Sequence, residues 1–293
     1  MSRSIRFFIR NRWNGSIAVA TPIISSSGER TDYEADLTQT LALAETWRST
    51  GLSGAFIAAD LTTTYKIGAV CLVRCNLTNN GLFKVRVGNT ADFSTNLYDS
   101  GWVERKRYYS DTEISIAKSS EFFPDGLPIS DMQKRIQQQV IVVALPAEVT
   151  ARYVRIDFDD IGNADGYVEV GYVYTGKILE PSNDLMYGWK MQREDFVRDG
   201  QATCGQYWSK SVYHKTLITL TMAPQPESDL LSYWLLLESL VGINDVFIVS
   251  LIQRSDALLY TTTIYSKWSQ VPGNTHVAFR TYGINMPIEE VVD

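Results

Sequence analysis

Apolar and polar residues alternate most clearly in residues 151–176, where two short runs flank a polar segment. The apolar positions of the two runs are Val154, Ile156, Phe158, Val168, Val170, Tyr172 and Tyr174. Successive side chains of a strand point to opposite faces, so each run predicts a strand with one apolar face. The segment between them, residues 159–166, is rich in Asp, Asn and Gly, which favour turns. The pattern predicts a β-hairpin that needs further strands to bury its apolar face.

The rest of the first half is also predicted to be mostly strands. Residues 67–73 are almost continuously apolar, which is typical of a strand buried on both faces, and residues 83–88 alternate cleanly. Residues 140–145 predict another buried strand, whereas residues 36–47 carry apolar side chains at helical spacing. Residues 104–139 form a long irregular segment, and long loops in compact domains tend to be functional or disordered.

The second half predicts a different arrangement, with one helix among strands. Residues 213–222 are rich in Thr and other β-branched residues and predict a strand. A helix is predicted at about 228–241, because acidic residues precede apolar residues at helical spacing and Gly242 ends the pattern. Three further strands are predicted at residues 245–251, 258–268 and 274–282.

The two halves are predicted to be separate domains. Residues 176–188 contain Pro, Ser, Asn and Asp directly after a strand, which favours a boundary there. We therefore expect a mainly β protein with a β-sandwich at residues 1–183. A small α+β domain of split-barrel type is expected to follow at residues 184–293.

Composition excludes several functional classes. The chain has 293 residues, of which 45% are hydrophobic and 20% charged, an ordinary balance for globular proteins. A formal net charge of -6 argues against a general nucleic-acid-binding protein, which normally carries a basic face. The apolar runs fall short of the roughly 18 residues of a membrane span, and the N-terminus has no signal-like apolar core. We therefore expect a soluble protein without membrane insertion.

The cysteines are expected to be free thiols. There are 3 cysteines, an odd number. Cys71 and Cys75 would lie roughly 13 Å apart along one strand, which is too far for a disulfide between them. Core packing is the preferred interpretation of both side chains, and a reducing compartment follows from it.

No sequence motif for catalysis was found. The two histidines, His214 and His276, fall within predicted strands, and neither belongs to a metal-binding motif. A nucleophile elbow, a phosphate-binding loop and a dinucleotide fingerprint are not found in the sequence. The acidic residues of 159–166 could bind calcium, but their spacing differs from an EF-hand loop and favours an ordinary turn. We therefore expect no enzymatic activity, no cofactor and no metal.

Aromatic residues near the long irregular segment are candidates for glycan or partner contacts. Exposed aromatic rings can stack on sugar rings, with polar groups beside them. The candidates are Trp102, Tyr108, Tyr109, Phe122 and Phe123. Packing in the core or against another subunit is the alternative interpretation of the same residues.

Charged residues near the two ends of the chain are candidates for assembly contacts. The basic set near the start is Arg6, Arg10 and Arg12, and the acidic set near the end includes Glu289 and Glu290. Complementary patches of this kind would join neighbouring subunits head to tail. The alternative for the basic set is a first strand with charged edges, which resist unwanted strand pairing.

The first half resembles a known fold family. The stretches ARYVRIDFDD and GYVEVGYVYTG resemble the closing strands of discoidin-like jelly rolls, the coagulation factor 5/8 type C and carbohydrate-binding-module-like group. The stretch FKVRVGNTADFSTNLYDSGWV looks like the variant found in structural proteins of tailed bacteriophages. Glycan-binding members of the group bind through variable loops at one end of the roll, so no binding residue is transferred to this sequence.

The second half resembles the small barrel of phage distal tail and baseplate proteins. The stretches that carry this resemblance are LITLTM, ESDLLSYWLLLESLVG and DVFIVSL. It implies a structural virion protein that forms a ring, hexameric by the same resemblance, near the tail tip. Its partners would be copies of itself and other tail proteins, and it would be made in the cytoplasm of a bacterial host. The alternative hypothesis is an adhesion module that recognises host surface glycans.

Overall fold

The computed structural model describes residues 5–14, 21–78, 80–105, 140–201, 207–241, 245–253, 259 and 262–292. The strands in chain order are β1 (Arg6–Phe8), β2 (Ile23–Ser26), β3 (Trp47–Arg48), β4 (Ser53–Cys75), β5 (Leu82–Gly88), β6 (Asn96–Asp99), β7 (Val103–Glu104), β8 (Val140–Asp159), β9 (Glu169–Gly176), β10 (Ile178–Leu179), β11 (Lys190–Gln201), β12 (Tyr207–Thr221), β13 (Gln225–Pro226), β14 (Val246–Ser250), β15 (Thr263–Trp268), β16 (Gly273–Ala278) and β17 (Thr281–Glu290). The predicted mainly β architecture is confirmed.

Contacts divide the chain into two compact units. The sandwich unit comprises Phe8–Ile178 and Ser250–Ile264. The second unit comprises Met1–Phe7, Leu179–Val249 and Tyr265–Asp293. The domain boundary expected between residues 183 and 184 stays a prediction.

Two long strands build both layers of the sandwich unit. The strand order is β3-β9-β4-β8-β5-β6, with β2 added on β4 and β7 on β5. The first part of β4 pairs antiparallel with the end of β8, and its last part pairs with the start of β8 and with β9. Register shifts after Asp60 and Ile67 interrupt the ladder between these parts, and Thr62 has a positive φ of 65°. Such irregularities let one strand pass from one layer to the other.

A single hydrophobic core joins the two layers. It includes Ile57 of β4, Val85 of β5, Ile156 of β8 and Val170 of β9, all fully buried. These are the alternating positions whose side chains point inward, while their neighbours in sequence point to the opposite face. The core therefore explains the alternation seen in the sequence.

The predicted hairpin at residues 151–176 is wrong in its pairing. Strands β8 and β9 form where the alternation predicts them, but β4 lies between them in the sheet. Both strands pair with Ala69 to Val73 of β4, one on each side. Alternation reports which face of a strand is buried and carries no information on its neighbour, so a long-range partner was missed.

The predicted helix at residues 36–47 is also largely wrong. The structure has a 3-10 helix at Ala35–Gln39, followed by β3. Its few apolar positions do not make a continuous stripe, because Leu41 is exposed. The long segment predicted at residues 104–139 lies outside the described residues from residue 106 onward.

The second unit contains one large sheet and a short helical segment. The sheet order is β10-β1-β14-β15-β17-β12-β11, with β13 and β16 also paired to β17. The helical segment consists of Glu227–Asp229, a π-helical turn at Leu230–Trp234, and Leu235–Leu240. The helix expected at about 228–241 is therefore found at that place. Trp234 and Leu237 are among its buried residues.

The sequence did not predict the strand with the most partners in this sheet. Residues 274–282 were expected to be one strand, but they belong to the β16–β17 hairpin, and β17 continues to Glu290. Strand β11 was not predicted either, because its charged residues hide the alternation. Within the described part of the chain, no helix is long and apolar enough to cross a bilayer.

Candidate functional site

One end of the sandwich brings together several connections between strands. Leu82 at the start of β5 pairs with Asp159 at the end of β8 and with Glu104 of β7. Ser53 at the start of β4 faces Asp159 from the other side. The segments that emerge at this end are residues 49–52, 76–81 and 160–168, and residues 100–102 lie close to it on the sheet edge, beside Lys84 and Val85. We refer to these segments and the strand residues beside them as the loop end.

Trp102 is the exposed aromatic side chain of the loop end beside β5. About half of it, 49%, is accessible to solvent. The Nζ atom of Lys84 lies 5.1 Å from the centroid of its ring. An ammonium group at this distance over an indole face is attracted by the ring electrons, so Lys84 lies over one face of the indole and leaves the other face for a ligand. The pair offers an apolar surface and a hydrogen-bond donor next to each other.

The chain before Trp102 is fixed to the edge of β5. The N–H of Ser100 donates to the carbonyl of Val85 at 3.0 Å, and its hydroxyl accepts from the N–H of Val85 at 2.9 Å. The N–H of Gly101 donates to Oδ1 of Asp99 at 2.8 Å. Gly101 has φ of 65°, a conformation that favours glycine. The indole is therefore presented from an ordered turn.

A charged row continues from Lys84 across the outer face of the sheet. Lys84 is opposite Asp157 in the β5–β8 register. The carboxylate of Asp157 accepts from Nε and Nη2 of Arg86 at 3.0 and 2.8 Å, and from Nε of Arg155 at 2.8 Å. The guanidinium of Arg155 in turn lies 3.7 Å from the ring centroid of Phe56. These mutual contacts fix the orientation of the row.

A second group of arginine and tyrosine side chains lies at the loop end near β3 and β9. The guanidinium of Arg48 lies 3.9 Å from the ring centroid of Tyr33 and 4.8 Å from that of Tyr167. Its Nε also donates to Glu169 at 2.7 Å. The guanidinium of Arg30 lies 4.5 Å from the ring centroid of Tyr167. This group was not predicted, because its members come from separate segments of the sequence without a common motif.

The acidic segment 160–168 is held by hydrogen bonds within the protein. Asp160 is buried and accepts from the N–H and the hydroxyl of Thr78, and from Nδ2 of Asn163. Asn163 also donates to the carbonyl of Asn76 at 3.1 Å. In the described ranges there is no group of three or more His, Cys, Asp or Glu side chains arranged to hold a metal ion. The turn therefore closes the loop end by its own hydrogen bonds.

The structure describes only part of the predicted aromatic set. Trp102 lies at the loop end and is half exposed. Tyr108, Tyr109, Phe122 and Phe123 lie outside the described residues. The role of the set in binding stays a prediction.

The basic residues near the N-terminus make contacts within their own chain. Nε of Arg6 lies 2.5 Å from Oε1 of Glu180. Arg10 has φ of 62°, and its Nε is buried without a hydrogen-bond partner in the described structure. The guanidinium of Arg12 lies 4.4 Å from the ring centroid of Tyr65. Their predicted role in assembly is not tested by these contacts and stays a prediction.

The acidic residues near the C-terminus are also engaged. Glu289 accepts from Nζ of Lys215 at 2.9 Å and lies 3.3 Å from Nζ of Lys267. Burial alone would raise the pKa of Glu289, but hydrogen bonds from the two lysines outweigh it and lower the pKa. Glu290 accepts from the N–H of Thr216 at 2.8 Å. Their role in assembly likewise stays a prediction.

Both cysteines in β4 are free and buried. Burial raises the pKa of the Cys71 thiol well above its usual value and that of Cys75 to about 11. A thiol reacts as a nucleophile through its thiolate form, which these pKa values disfavour at neutral pH. The two side chains are therefore packing residues, as the sequence predicts.

Comparison with known proteins gave structural likeness only. No protein-family model matches the chain, and no curated protein sequence matches it. The lectin domain of lectinolysin complexed with Lewis B antigen is 14% identical, with a TM-score of 0.37, over 58% of this chain and 98% of that domain. The family 32 carbohydrate-binding module of NanJ from C. perfringens, in complex with galactose, is 12% identical, with a TM-score of 0.36, over 59% of this chain and 99% of the module.

A third solved structure is similar to the same extent. It is chitosan-binding module 1 of a chitosanase/glucanase from Paenibacillus sp. IK-5, 14% identical, with a TM-score of 0.36, over 58% of this chain and 100% of the module. These three similar structures are thus a lectin domain, a carbohydrate-binding module and a chitosan-binding module. Because all three TM-scores are below 0.5, the fold assignment rests on the strand pairing of the chain itself.

Proposed function

We propose that this protein is a non-catalytic binding protein whose sandwich unit recognises a carbohydrate at the loop end. The observation that carries the proposal is the half-exposed indole of Trp102 beside the ammonium group of Lys84. An indole is a large, rigid surface that suits the C–H face of a sugar ring. The ammonium group has three N–H donors for hydroxyl oxygens of a ligand that extends past the indole.

The order of the site supports binding without a large entropic cost. The turn at Asp99 to Gly101 fixes Trp102 before a ligand arrives, and Asp157 orients Arg86. Side chains that are already held in place lose little freedom when a ligand binds. A preformed surface of this kind suits a rigid ligand such as a pyranose ring.

Two carboxylates near the loop end, those of Asp157 and Asp160, support binding rather than hydrolysis. Glycoside hydrolysis uses a pair of carboxyl groups, one as proton donor and one as base or nucleophile. Asp157 accepts from two arginines, and Asp160 accepts from Thr78 and Asn163. These hydrogen bonds already occupy oxygens of both carboxylates, which leaves them poorly placed to exchange a proton with a substrate.

The proposal is tested by binding of the full chain to an array of glycans that includes galactosides, fucosides and chitosan oligosaccharides. The wild-type protein is expected to bind at least one glycan class. Trp102→Ala is expected to weaken that binding about tenfold or more, because truncation of a central aromatic contact usually has a large effect. Leu97→Ala is the matched control, since Leu97 is 47% exposed on β6, towards the other end of β5.

Either of two results would overturn the proposal. One is a folded wild-type protein that binds no glycan on the array. The other is a Trp102→Ala variant that binds with the affinity of wild type, which would place the contact elsewhere.

A second candidate function is that of a structural protein in the tail of a tailed bacteriophage. The observation that favours it is a set of exposed apolar side chains on the second unit, namely Tyr187, Leu231, Val277 and Phe279. Phe279 is 85% exposed in the turn of the β16–β17 hairpin. Large apolar side chains on a surface often mark contacts with other proteins. The phage context comes from the sequence resemblance to distal tail and baseplate proteins, which implies a ring near the tail tip.

The second candidate is tested by mass photometry and negative-stain electron microscopy of the full chain. If the protein has this function, wild type forms a closed ring, and Phe279→Ser shifts the mass distribution towards species smaller than the ring. Ile161→Ser is the matched control, because Ile161 is 73% exposed on the sandwich unit and should leave the ring intact. Single chains of wild-type protein over the whole concentration range would contradict this function.

A further inference from the structure

Strand β11 is a long edge strand of the second unit. It spans 12 residues, Lys190–Gln201, and pairs only with β12 among the strands that the structure describes. The register shift between β11 and β12 falls opposite Phe196 and Val197, where β12 contributes the extra residue, Val212. Strand β11 itself therefore keeps a regular backbone, and a regular edge offers unpaired N–H and C=O groups to another strand.

The outer part of the β11–β12 pair extends beyond the rest of the sheet. Strand β12 pairs with β17 only over Leu217 to Thr221. From Glu194 onward, β11 faces residues of β12 that pair with no strand on their other side among the described residues. A two-stranded ribbon is marginally stable by itself, so further strands would stabilise it.

We propose that β11 pairs antiparallel with β11 of a second copy of this chain, about a two-fold axis at Phe196. In this register Arg193 faces Asp199 of the other copy, and Glu194 faces Arg198. Each of these pairs occurs twice because of the symmetry, and all of them join opposite charges. Opposite charges directly across two strands stabilise the pairing, whereas like charges oppose it.

The charges also exclude the neighbouring registers. A shift of one residue places Arg193 opposite Arg198 in one direction and Glu194 opposite Asp199 in the other. A shift of two residues places Asp195 opposite itself or opposite Asp199. Like charges therefore meet in each of these four alternatives, so the sequence KMQREDFVRDGQ favours the register centred on Phe196 over its nearest neighbours.

The centre of the proposed interface has an apolar contact. Phe196 stacks on Tyr213 of β12, with ring centroids 4.4 Å apart and an interplanar angle of 19°. On the two-fold axis, Phe196 would face Phe196 of the other copy, so that four aromatic rings lie together on one face. The two ribbons would become a four-stranded sheet in which the free edges of both β11 strands are paired. The interface is isologous, as is usual for dimers with two-fold symmetry.

The first test reverses the charges of the facing residues Glu194 and Arg198. The dimer dissociation constant of the full chain is measured by sedimentation velocity over a range of concentrations. Arg198→Glu places like charges opposite Glu194 and is expected to raise the dimer dissociation constant about tenfold or more. Glu194→Arg is expected to do the same, although it also removes the 3.8 Å contact with Lys215. The double variant with both substitutions restores opposite charges and is expected to recover most of the affinity. Glu45→Arg, at an exposed site of the sandwich unit, is the matched control.

Disulfide formation is the second test, in a Cys204→Ser background because Cys71 and Cys75 are buried. Phe196→Cys places two thiols across the axis, with Cα atoms about 5 Å apart, close enough for a disulfide. Met191→Cys is the control, because the two copies of residue 191 would be roughly 30 Å apart. Oxidation is expected to link the first variant and not the second.

Two outcomes would overturn the proposal. One is wild-type protein that remains a single chain at all concentrations. The other is a dimer that forms through a different surface. This would be shown if neither single charge reversal weakened the dimer, or if a disulfide formed no more efficiently in Phe196→Cys than in Met191→Cys. The proposal is independent of carbohydrate binding, because it uses different residues. Trp102→Ala is therefore expected to leave the sedimentation coefficient unchanged.

Discussion

Arg86 donates through Nε and Nη2 to Asp157, with nitrogen–oxygen distances of 2.8 to 3.0 Å. The pair joins the neighbouring strands β5 and β8 on the outer face of the sandwich unit. Arg155 donates to the same carboxylate at 2.8 Å. A single carboxylate therefore compensates the charge of two guanidinium groups next to the proposed glycan site.

Loss of this carboxylate is expected to destabilise the sandwich unit. Asp157→Asn leaves Arg86 and Arg155 adjacent without an anion between them, and both side chains are largely buried. We expect the free energy of unfolding to fall by about 2 kcal/mol, measured by urea denaturation. Glu45→Gln, at an exposed position, is the control and is expected to change it by less than about 0.5 kcal/mol. Equal stability of both variants would mean that the two arginines do not depend on Asp157.

Substitution of Gly81 is expected to destabilise the protein, because Gly81 lies very close to the side chain of Asp160. A Cβ atom at Gly81 would lie 2.9 Å from Cγ of Asp160 and 3.1 Å from both carboxylate oxygens. Gly81→Ala would therefore displace the buried carboxylate that accepts from Thr78, at an expected cost of about 1–3 kcal/mol. Gly51→Ala is the control, since a Cβ atom at Gly51 would have no neighbour within 4 Å among the described residues. Thermal unfolding of the two variants gives the comparison, and equal midpoints would contradict the packing argument.

The ion pair between Arg152 and Asp60 is expected to make part of the stability depend on pH. The hydrogen bond from Arg152 is the main reason that the pKa of Asp60 is below its ordinary value, with distances of 2.6 and 2.7 Å. A carboxyl group whose pKa is lower in the folded state stabilises the fold above the unfolded-state value of about 3.9. This stabilisation is lost as the pH falls through the folded-state pKa.

The comparison that isolates this effect is urea denaturation at pH 5 and at pH 3. Wild type is expected to lose more unfolding free energy over this interval than Arg152→Met, which lacks the hydrogen bonds. Glu289 also has a lowered pKa, but it is present in both proteins and cancels in the difference. Identical losses in both proteins would show that the pair does not contribute.

The thiols of β4 are expected to be unreactive in the folded protein. The pKa of Cys75 is raised to about 11, and that of Cys71 is raised as well, in both cases chiefly by burial. In a Cys204→Ser background, a disulfide reagent at pH 8 is expected to modify neither thiol until urea is added. Rapid modification without urea would show that this part of the core opens readily.

The sequence predicts individual strands of this protein better than their partners. Residues 140–145 and 83–88 are strands in the structure, as alternation and apolar runs indicate. The neighbour of β8 was missed, because β4 changes layers through irregularities that leave no periodic signal. Strand β11 was missed because its solvent-exposed residues are mostly charged, so burial imposes no alternation on them.

The candidate site was predictable only in part. Trp102 is identifiable because it is an aromatic residue next to a glycine in a polar region. Its neighbour Lys84 comes from a different strand, and the contact depends on how β5 and the turn before β7 align. The group around Arg48 is built from separate segments in the same way, so only the folded chain brings it together.

The measurement that most directly tests carbohydrate binding at Trp102 is oxidative footprinting by mass spectrometry, with and without the glycan that the array selects. Trp102 is half exposed, whereas Trp13, Trp47, Trp234 and Trp268 are buried and serve as internal references. We predict that the glycan protects Trp102 from oxidation at concentrations that saturate binding, while the references stay unchanged. Unchanged oxidation of Trp102 in the saturated complex would contradict carbohydrate binding at this site.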